Sequence, residues 1–191
     1  MAHDADVQAE RLERFREYLS LLARLHLDAR LQGKVDLSGV VQQTLLEAHR
    51  AAGKMPQQGD EDLARWLRRI LANNLRDEVR KLHTQARDVE REQSLEAALE
   101  ASSSRIEGWL AAQQSSPSQH AMRNEELLRL ADALAELPDD QRRAVELHHL
   151  KGLTLVDIAA EMGRTKGAVA ALLFRGLKKL RELLSENDSA T

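Results

Sequence analysis

Apolar residues recur at three- and four-residue steps over most of the chain, the spacing that places side chains on one face of an α-helix. The first amphipathic stretch covers residues 8 to 30 and ends before Gly33. A second stretch follows an N-cap supplied by Asp36 or Ser38, and it fades at the turn over residues 53–56. The pattern therefore predicts two successive helices in this part of the chain.

A longer apolar stripe runs from Leu63 to Leu82 on a surface rich in arginine. A loop through Gly59 precedes it, and Asp60 or Asp62 is the expected start of the helix. Together with the two helices before it, this helix predicts a small bundle of three or four helices.

The helical pattern weakens from about residue 84 to residue 121, where serine and glutamine are frequent. A short helical island is expected around Leu95 to Leu99. We interpret the stretch as a flexible linker between two domains. The predicted limits are residues 1–90 for the first domain, 91–122 for the linker and 123–187 for the second domain.

Helical periodicity returns at Glu125, stops at Pro138 and resumes after an N-cap at Asp139 or Asp140. Two final helices are expected over residues 155–162 and 166–184. No segment alternates apolar and polar residues as a half-buried strand would. The predicted fold class is therefore all-α, with two small helical domains.

Residues 150–184 have the layout of a helix-turn-helix. Thr154 is expected to cap a short first helix, Gly163 to allow the tight turn, and Thr165 to cap a second helix. Such a unit places the start of its second helix in the major groove of DNA. Between positions 164 and 181 the chain has no acidic residue and six basic ones: Arg164, Lys166, Arg175, Lys178, Lys179 and Arg181.

This basic patch has a second interpretation, since a lysine-rich final helix is often only a solvated face and short helix-turn-helix patterns occur in bundles that never touch DNA. The net charge of -3 averages over the chain and does not decide between the two.

Composition excludes several classes of protein. The chain has no cysteine and seven scattered histidines, so we expect no disulfide, no metal site and no cofactor. The neighbours His148 and His149 point in different directions on a helix. No phosphate-binding loop or catalytic triad is evident, so no catalytic residue is expected. The polar, acidic N-terminus and the lack of a long apolar run indicate a cytoplasmic protein without a membrane span.

Three segments resemble one known family. Residues 134–184, which begin LAELPDDQRRAVELHHLKGLTLVDIAAEMG, resemble the fourth conserved region of sigma-70 factors. Residues 36–48, DLSGVVQQTLLEA, resemble the second helix of region two, and residues 66–81, WLRRILANNLRDEVRK, resemble its promoter-melting helix. Their order and the linker between them are similar to those of the small extracytoplasmic-function sigma factors.

The resemblance implies a transcription initiation factor that binds core RNA polymerase, at the clamp helices of the largest subunit and at the flap, and directs it to promoter DNA. It also implies an anti-sigma factor as a further partner to test for. The implied polymerase contacts are Val40, Val41, Gln42, Gln43 and Leu46. The implied contacts to the minus-ten element are Asn73, Asn74, Asp77, Arg80 and Lys81, and those to the minus-thirty-five element are Arg164, Thr165, Lys166 and Arg175, joined by Lys178 and Lys179 of the basic patch.

Each assignment in the melting helix has an ordinary structural alternative. Asn73 and Asn74 are equally compatible with solvent-facing positions, and Asp77 and Arg80 are spaced to pair with each other. Trp66 lies on the apolar stripe, so we expect it in the core rather than stacked on a base.

The chain departs from the family pattern at two places. Gly39 and Gln43 stand where acidic residues are common, which predicts a weaker or differently charged polymerase contact. Ala170, Ala171 and Leu172 replace polar and basic residues of the recognition helix, so few side chains there can hydrogen-bond to bases. Arg164, Lys166 and Arg175 are then expected to act mostly on phosphate.

Two other functions compete with this one. A stand-alone helix-turn-helix regulator would share the C-terminal pattern, but the first 90 residues predict only a basic three-helix bundle without a sensor pocket. A helical enzyme or a purely structural protein would need none of the family motifs, and the chain has no catalytic constellation to support an enzyme.

Overall fold

Helices follow one another along the described part of the chain, in which no residue forms a strand. The structure is a computed structural model, and it describes residues 2–27, 34–56, 59–82, 90–113 and 120–188. The all-α prediction is confirmed. The helices are α1 (Ala2–Glu13), α2 (Arg16–His26), α3 (Leu37–Arg50), α4 (Asp60–Leu82), α5 (Glu90–Gln113), α6 (His120–Ala135), α7 (Asp139–Val145), α8 (Leu155–Met162) and α9 (Lys166–Asp188).

The first predicted helix is divided in two. The helix is interrupted at Arg14 and Phe15, between α1 and α2. There the amide of Phe15 donates to the carbonyl of Leu12 at 3.1 Å, which forms a tighter turn than that of an α-helix. Phe15 is 1% exposed, so the bend sets an aromatic side chain into the core. The apolar spacing alone did not predict this bend, because apolar residues continue at helical steps on both sides of it. The predicted end near residue 30 and Gly33 lie outside the described residues.

Helices α3 and α4 begin at predicted positions. The Asp36 carboxylate accepts a hydrogen bond from the Gly39 amide at 2.9 Å, so Asp36, and not Ser38, caps α3. A short 3₁₀ turn, Ala52–Lys54, follows α3, and α4 starts at Asp60. The stripe of α4 packs inward as expected, with its central leucines at most 2% exposed: Leu63, Leu67, Leu71 and Leu75.

The stretch predicted as a linker with a helical island at Leu95 to Leu99 contains a much longer helix. Helix α5 runs from Glu90 to Gln113 and packs on α2 and α4, with Leu99 and Ile106 fully buried. The prediction of a short island was wrong because Ser102 and Ser103, which suggested a solvated loop, are buried and hydrogen-bonded. Residues 114–119, which include the Ser-Ser-Pro part of the predicted linker, lie outside the described residues.

A buried polar network holds α5 against the bundle. Arg68 of α4 is 6% exposed, and its guanidinium donates to the Tyr18 hydroxyl at 2.8 Å and to the Glu100 carboxylate at 2.9 and 3.1 Å. The Tyr18 hydroxyl also lies 3.0 Å from the Ser103 hydroxyl. Three helices that are distant in sequence thus share one hydrogen-bonded cluster, and a satisfied cluster of this kind fixes their relative positions.

In the C-terminal half, α7 begins at Asp139, but Pro138 occupies the N-cap position and no side chain caps the helix. The predicted Asp139 or Asp140 cap was therefore wrong; proline pre-sets the backbone at this helix entry. Helix α7 continues into a π-helical turn, Glu146–Leu150. Gly176 of α9 is buried against α7, where an added Cβ would lie 3.0 Å from Val145 Cγ2.

The two halves of the chain pack on each other. Arg24 of α2 is ion-paired with Glu146 of the π-helical turn at 2.9 Å, and Glu146 is 6% exposed. Trp109 of α5 stacks on His149 of the same turn, with ring centroids 5.1 Å apart and an interplanar angle of 20°. Helix α2 also packs along α6. These contacts join the N-terminal bundle to the half of the chain that carries α8 and α9.

Candidate nucleic-acid interface

The helix-turn-helix forms from the residues that the sequence indicated. Thr154 caps α8 in a capping box, in which its hydroxyl accepts from the Asp157 amide while the Asp157 carboxylate accepts from the Thr154 amide, both at 3.3 Å. Gly163 ends α8 with φ of 62°, the left-handed conformation that glycine adopts without strain. The Thr165 hydroxyl then accepts from the Ala168 amide at 3.2 Å and starts α9.

The inner faces of the two helices meet in the core. Ile158 and Ala159 of α8 are buried, and so are Val169, Leu172 and Leu173 of α9. Met162 packs against this core from its edge. The burial of these residues fixes which side of α9 remains available to a partner.

The cations of the basic patch lie on that available side or at the turn. Arg164 is ion-paired with Asp140 of α7 and is partly neutralised by it. The other five are exposed, and no ion-pair partner is found for them among the residues that the structure describes: Lys166, Arg175, Lys178, Lys179 and Arg181. A concentration of unpaired cations on one helix attracts a polyanion such as the phosphate backbone of DNA.

One exposed residue of α9 was not singled out from the sequence. Phe174 is 73% exposed, the largest value among the exposed large apolar residues of the described chain, the others being Val7, Leu46 and Val156. Its position was readable in principle. Val169, Leu172 and Leu173 mark the inward face, and helical spacing then places residue 174 on the outward face.

The proposed melting helix presents one exposed face near its C-terminus. Asn73, Asp77 and Arg80 lie at steps of four and three residues, and all three are exposed. The Asp77 and Arg80 side chains are 3.6 Å apart and each 63% exposed, so they form the surface pair that the spacing allowed. Lys81 pairs with Glu78 at 3.0 Å. Exposed pairs of this kind contribute little to stability.

Asn74 and Trp66 both make contacts within the bundle. The Asn74 amide donates to the Thr44 hydroxyl at 3.1 Å and lies 3.5 Å from Glu47, so it ties α4 to α3. Trp66 is partly buried and packs against the core, as expected from the apolar stripe.

The implied polymerase contacts divide by burial. Val40 and Val41 are 3% and 1% exposed, so their side chains hold α3 on the bundle. Gln42, Gln43 and Leu46 are exposed, and Gln43 donates to Glu47 at 2.7 Å. The outward face of α3 is therefore amide and apolar, with Leu46 41% exposed.

The adjacent residues His148 and His149 make different contacts. The His148 ring nitrogen Nδ1 lies 2.9 Å from the Leu153 carbonyl and so steadies the loop before α8, whereas His149 faces Trp109. Their rings are inclined at 73° to each other. Within the described ranges, no group of three or more histidine, aspartate or glutamate side chains is placed to hold a metal ion.

Known proteins match this chain in both halves. The family described as "Sigma-70, region 4" matches residues 127–180. The ECF RNA polymerase sigma-E factor of Salmonella typhimurium strain LT2 is 31% identical over 143 residues, which cover 73% of this chain and 69% of that protein. The chain belongs to the extracytoplasmic-function sigma factors of the sigma-70 family.

Further relatives of this extracytoplasmic-function sigma factor are matched over smaller shares of their own length. The ECF RNA polymerase sigma factor BldN of Streptomyces coelicolor is 27% identical over 158 residues, 83% of this chain and 54% of BldN. The RNA polymerase sigma factor CarQ of Myxococcus xanthus is 44% identical over 57 residues, 30% of this chain and 33% of CarQ. The chain thus spans about half the length of BldN and a third of CarQ.

A solved structure also aligns with this sigma factor. It is the co-crystal structure of the sigma factor RpoE with the anti-sigma factor NepR from Bartonella quintana, at 20% identity and a TM-score of 0.35, covering 96% of both chains.

The region-four match of this sigma factor runs from α6 through the helix-turn-helix to Leu180. It therefore includes the turn, Phe174 and every cation of the patch except Arg181. Each helix in the described part of this sigma factor is too short or too polar to cross a membrane.

Proposed function

We propose that this chain joins core RNA polymerase in the cytoplasm, directs it to specific promoters and helps to melt them, and catalyses no reaction itself. The observation that supports this most is the pairing of family membership with a helix-turn-helix whose outward side bears five unpaired cations in the described structure. An anti-sigma factor is a further expected partner.

The proposed division of labour follows the predicted domains. Residues 1–90 would bind polymerase and the minus-ten element, and residues 123–187 would bind the minus-thirty-five element. Residues 91–122 would link these two domains. Because α5 crosses the first of these limits and packs on α2 and α4, we propose that its residues act mechanically as part of the first domain.

For duplex DNA, the proposed contacts are Arg164 and Thr165 at the turn and Lys166 at the first helical position of α9. The turn and a helix N-terminus favour phosphate oxygens because free amides and a partial positive charge point outward there. Further along α9, Arg175, Lys178 and Lys179 would hold the flanking backbone.

For melted DNA, the exposed face of α4 is the proposed surface. The Asn73 amide and the Asp77 carboxylate can hydrogen-bond to the edges of unpaired bases, while Arg80 and Lys81 can hold the backbone. Asn74 remains a weaker candidate, because its amide is occupied by Thr44.

For core polymerase, the outward face of α3 is the proposed contact. Gln42, Gln43 and Leu46 would touch the clamp helices of the largest subunit, and Val40 and Val41 would keep α3 in place from the core side. Glu47, which accepts from Gln43, supplies a negative charge close to where the family commonly carries one.

Transcription with purified core polymerase tests the proposal. The full chain should give promoter-specific transcripts with mapped start sites only when core enzyme is present. A stand-alone regulator, the alternative function, would instead bind one duplex specifically without polymerase. A chain that neither binds core enzyme nor changes where transcripts begin would contradict the proposal.

The role of α4 has a matched control on the same helix. Replacing Arg80 and Lys81 with Ala should reduce open-complex formation more than core binding. Replacing Arg65 and Arg69 with Ala removes the same charge from exposed positions nearer the N-terminus of α4 and should affect melting less. Equal loss of melting in both double variants would contradict the assignment.

A further inference from the structure

The outward face of α9 is divided into an apolar half and a basic half. Gly167, Ala170 and Phe174 follow one another at steps of three and four residues, opposite the buried Val169, and all three are exposed. The same face continues with Lys178 and Arg181. A phenylalanine left 73% exposed beside two small residues is an unusual surface for a stretch of helix, residues 166–181, that has no acidic residue.

The basic surroundings indicate what covers this apolar half. Lys166 precedes it, Arg175 flanks Phe174, and Lys178 and Arg181 follow, so any occupant is approached through a positive field. An apolar peptide gains nothing from that field, whereas the phosphates of a duplex do. Charge complementarity therefore selects the major groove of DNA as the occupant.

The chemistry of the face restricts what it can read there. From Gly167 to Phe174 the outward positions offer no side-chain donor or acceptor, so they cannot bond to the base edges that distinguish guanine, cytosine and adenine. The one apolar group that the major groove presents is the C5-methyl of thymine. Ala and Phe are side chains that make this contact.

We propose that α9 recognises its duplex site through thymine methyl groups, with Phe174 as the main specificity-determining contact and Ala170 as the second. This inference rests on the proposed function. Four residues of α-helix rise roughly 6 Å, and base pairs are about 3.4 Å apart. Ala170 and Phe174 therefore suit thymines one or two steps apart, while Gly167 allows the groove wall to approach the helix closely.

Methyl deletion in the DNA tests this without altering the protein. Duplex sites are first selected from a random pool with the assembled holoenzyme. Each thymine is then replaced by deoxyuridine, which lacks only the methyl group, and binding is measured again. We expect a loss of about fourfold for each contacted methyl group, the value of one buried methylene-sized group. The loss should be confined to one or two neighbouring positions.

Protein variants then assign the effect to the side chain. Phe174→Ala should remove the difference between thymine and deoxyuridine at one position, and Phe174→Leu should restore part of it. Val156→Ala is the matched control, since Val156 is an apolar residue 53% exposed on α8. It should leave the difference unchanged.

Several results would overturn the inference. Equal binding of thymine and deoxyuridine sites would overturn the role of the methyl groups. If promoter-directed transcription remained intact in that case, the proposed function would still stand. Loss of core-polymerase binding in Phe174→Ala would assign Phe174 to a protein partner. Failure of the unaltered chain to bind any site, with or without polymerase, would overturn both proposals.

Discussion

Arg24 and Glu146 are 122 positions apart, yet Arg24 Nε donates to Glu146 Oε1 at 3.0 Å across the contact between the two halves of the chain. Both side chains are largely withdrawn from solvent, at 21% and 8% exposure. The pair therefore constrains how α2 and the π-helical turn sit together. It does so without covering α9, where Phe174 and the neighbouring cations stay exposed.

Replacing Glu146 with Gln should weaken the contact between the halves. The change keeps the shape of the side chain but leaves the Arg24 charge without its counterion, which should cost about 1–3 kcal/mol in the free energy of unfolding. Chemical denaturation gives the value. Hydrogen exchange should show faster opening of α2 and of the π-helical turn.

Glu161→Gln is the control for this change. Glu161 pairs with Arg143 at 3.4 Å inside the C-terminal half, with Arg143 41% exposed, so it should cost less than about 1 kcal/mol. Equal effects of the two substitutions would mean that Arg24–Glu146 has no special part in joining the halves.

The sequence predicted best where local chemistry determines the backbone. Asp36, Thr154 and Thr165 cap their helices through hydrogen bonds that span three residues, and Gly163 adopts the left-handed conformation that only its own residue type favours. Such contacts are complete within a few residues, so they can be read without knowledge of the rest of the fold.

Long-range contacts escaped prediction for the same reason. Ser102 and Ser103 suggested a solvated linker, but their environment is set by His26 and Tyr18, some 80 positions earlier. The partner of the Asn74 amide, the Thr44 hydroxyl, is 30 positions earlier in the chain. Polar residue types favour exposure only when no distant group satisfies them, and the identity of that group depends on tertiary packing.

Removing one hydroxyl group should show how much the buried polar network between α5 and the bundle contributes to the free energy of unfolding. Tyr18→Phe deletes the oxygen that accepts from Arg68 and lies beside Ser103, leaving a buried guanidinium N–H group poorly satisfied. We expect a loss of about 1–3 kcal/mol in the free energy of unfolding, typical of a hydrogen bond to a charged group. Denaturant titration of the full chain measures it.

Ser20→Ala is the control on the same helix, because the Ser20 hydroxyl donates to the Arg16 carbonyl of its own turn and takes no part in the network. Its effect should stay within about 0.5 kcal/mol, as for most surface substitutions. If Tyr18→Phe proves equally mild, the network does not hold α5 in place.

Two glycines of α9 should respond oppositely to alanine. At Gly167 an added Cβ meets nothing within 4 Å, so Gly167→Ala should stabilise the helix by about 0.5–1 kcal/mol. At Gly176 the same atom would lie 3.0 Å from Val145 and 3.4 Å from Gln141, and this crowding should offset the helical gain. Gly176→Ala should therefore be less stable than Gly167→Ala by roughly 1–2 kcal/mol. Thermal unfolding of both variants measures this difference. Equal stability of the two variants would show that α7 and α9 are less tightly packed than their geometry indicates.

Mild acid should destabilise the chain through two half-buried histidines. Burial lowers the pKa of His149, and the neighbouring His148 lowers it further; Nε2 of His149 has no hydrogen-bond partner among the described residues. Burial also lowers the pKa of His26, opposed by the Ala98 carbonyl and assisted by Arg105 and Lys151. Both rings are thus held neutral in the folded chain at pH values where the unfolded chain already binds protons.

The direction of the pH effect follows from that difference. Stability should be complete above the ordinary histidine pKa of about 6.5 and should fall as pH decreases below it, until the folded-state pKa values are passed. His149→Phe keeps an aromatic ring against Trp109 but cannot take up a proton, so unfolding measured from pH 8 to pH 5 should show a shallower decline. His49→Gln, at an exposed position on α3, should leave the decline unchanged. A decline as steep in His149→Phe as in the unaltered chain would mean that the stacked histidine does not contribute to it.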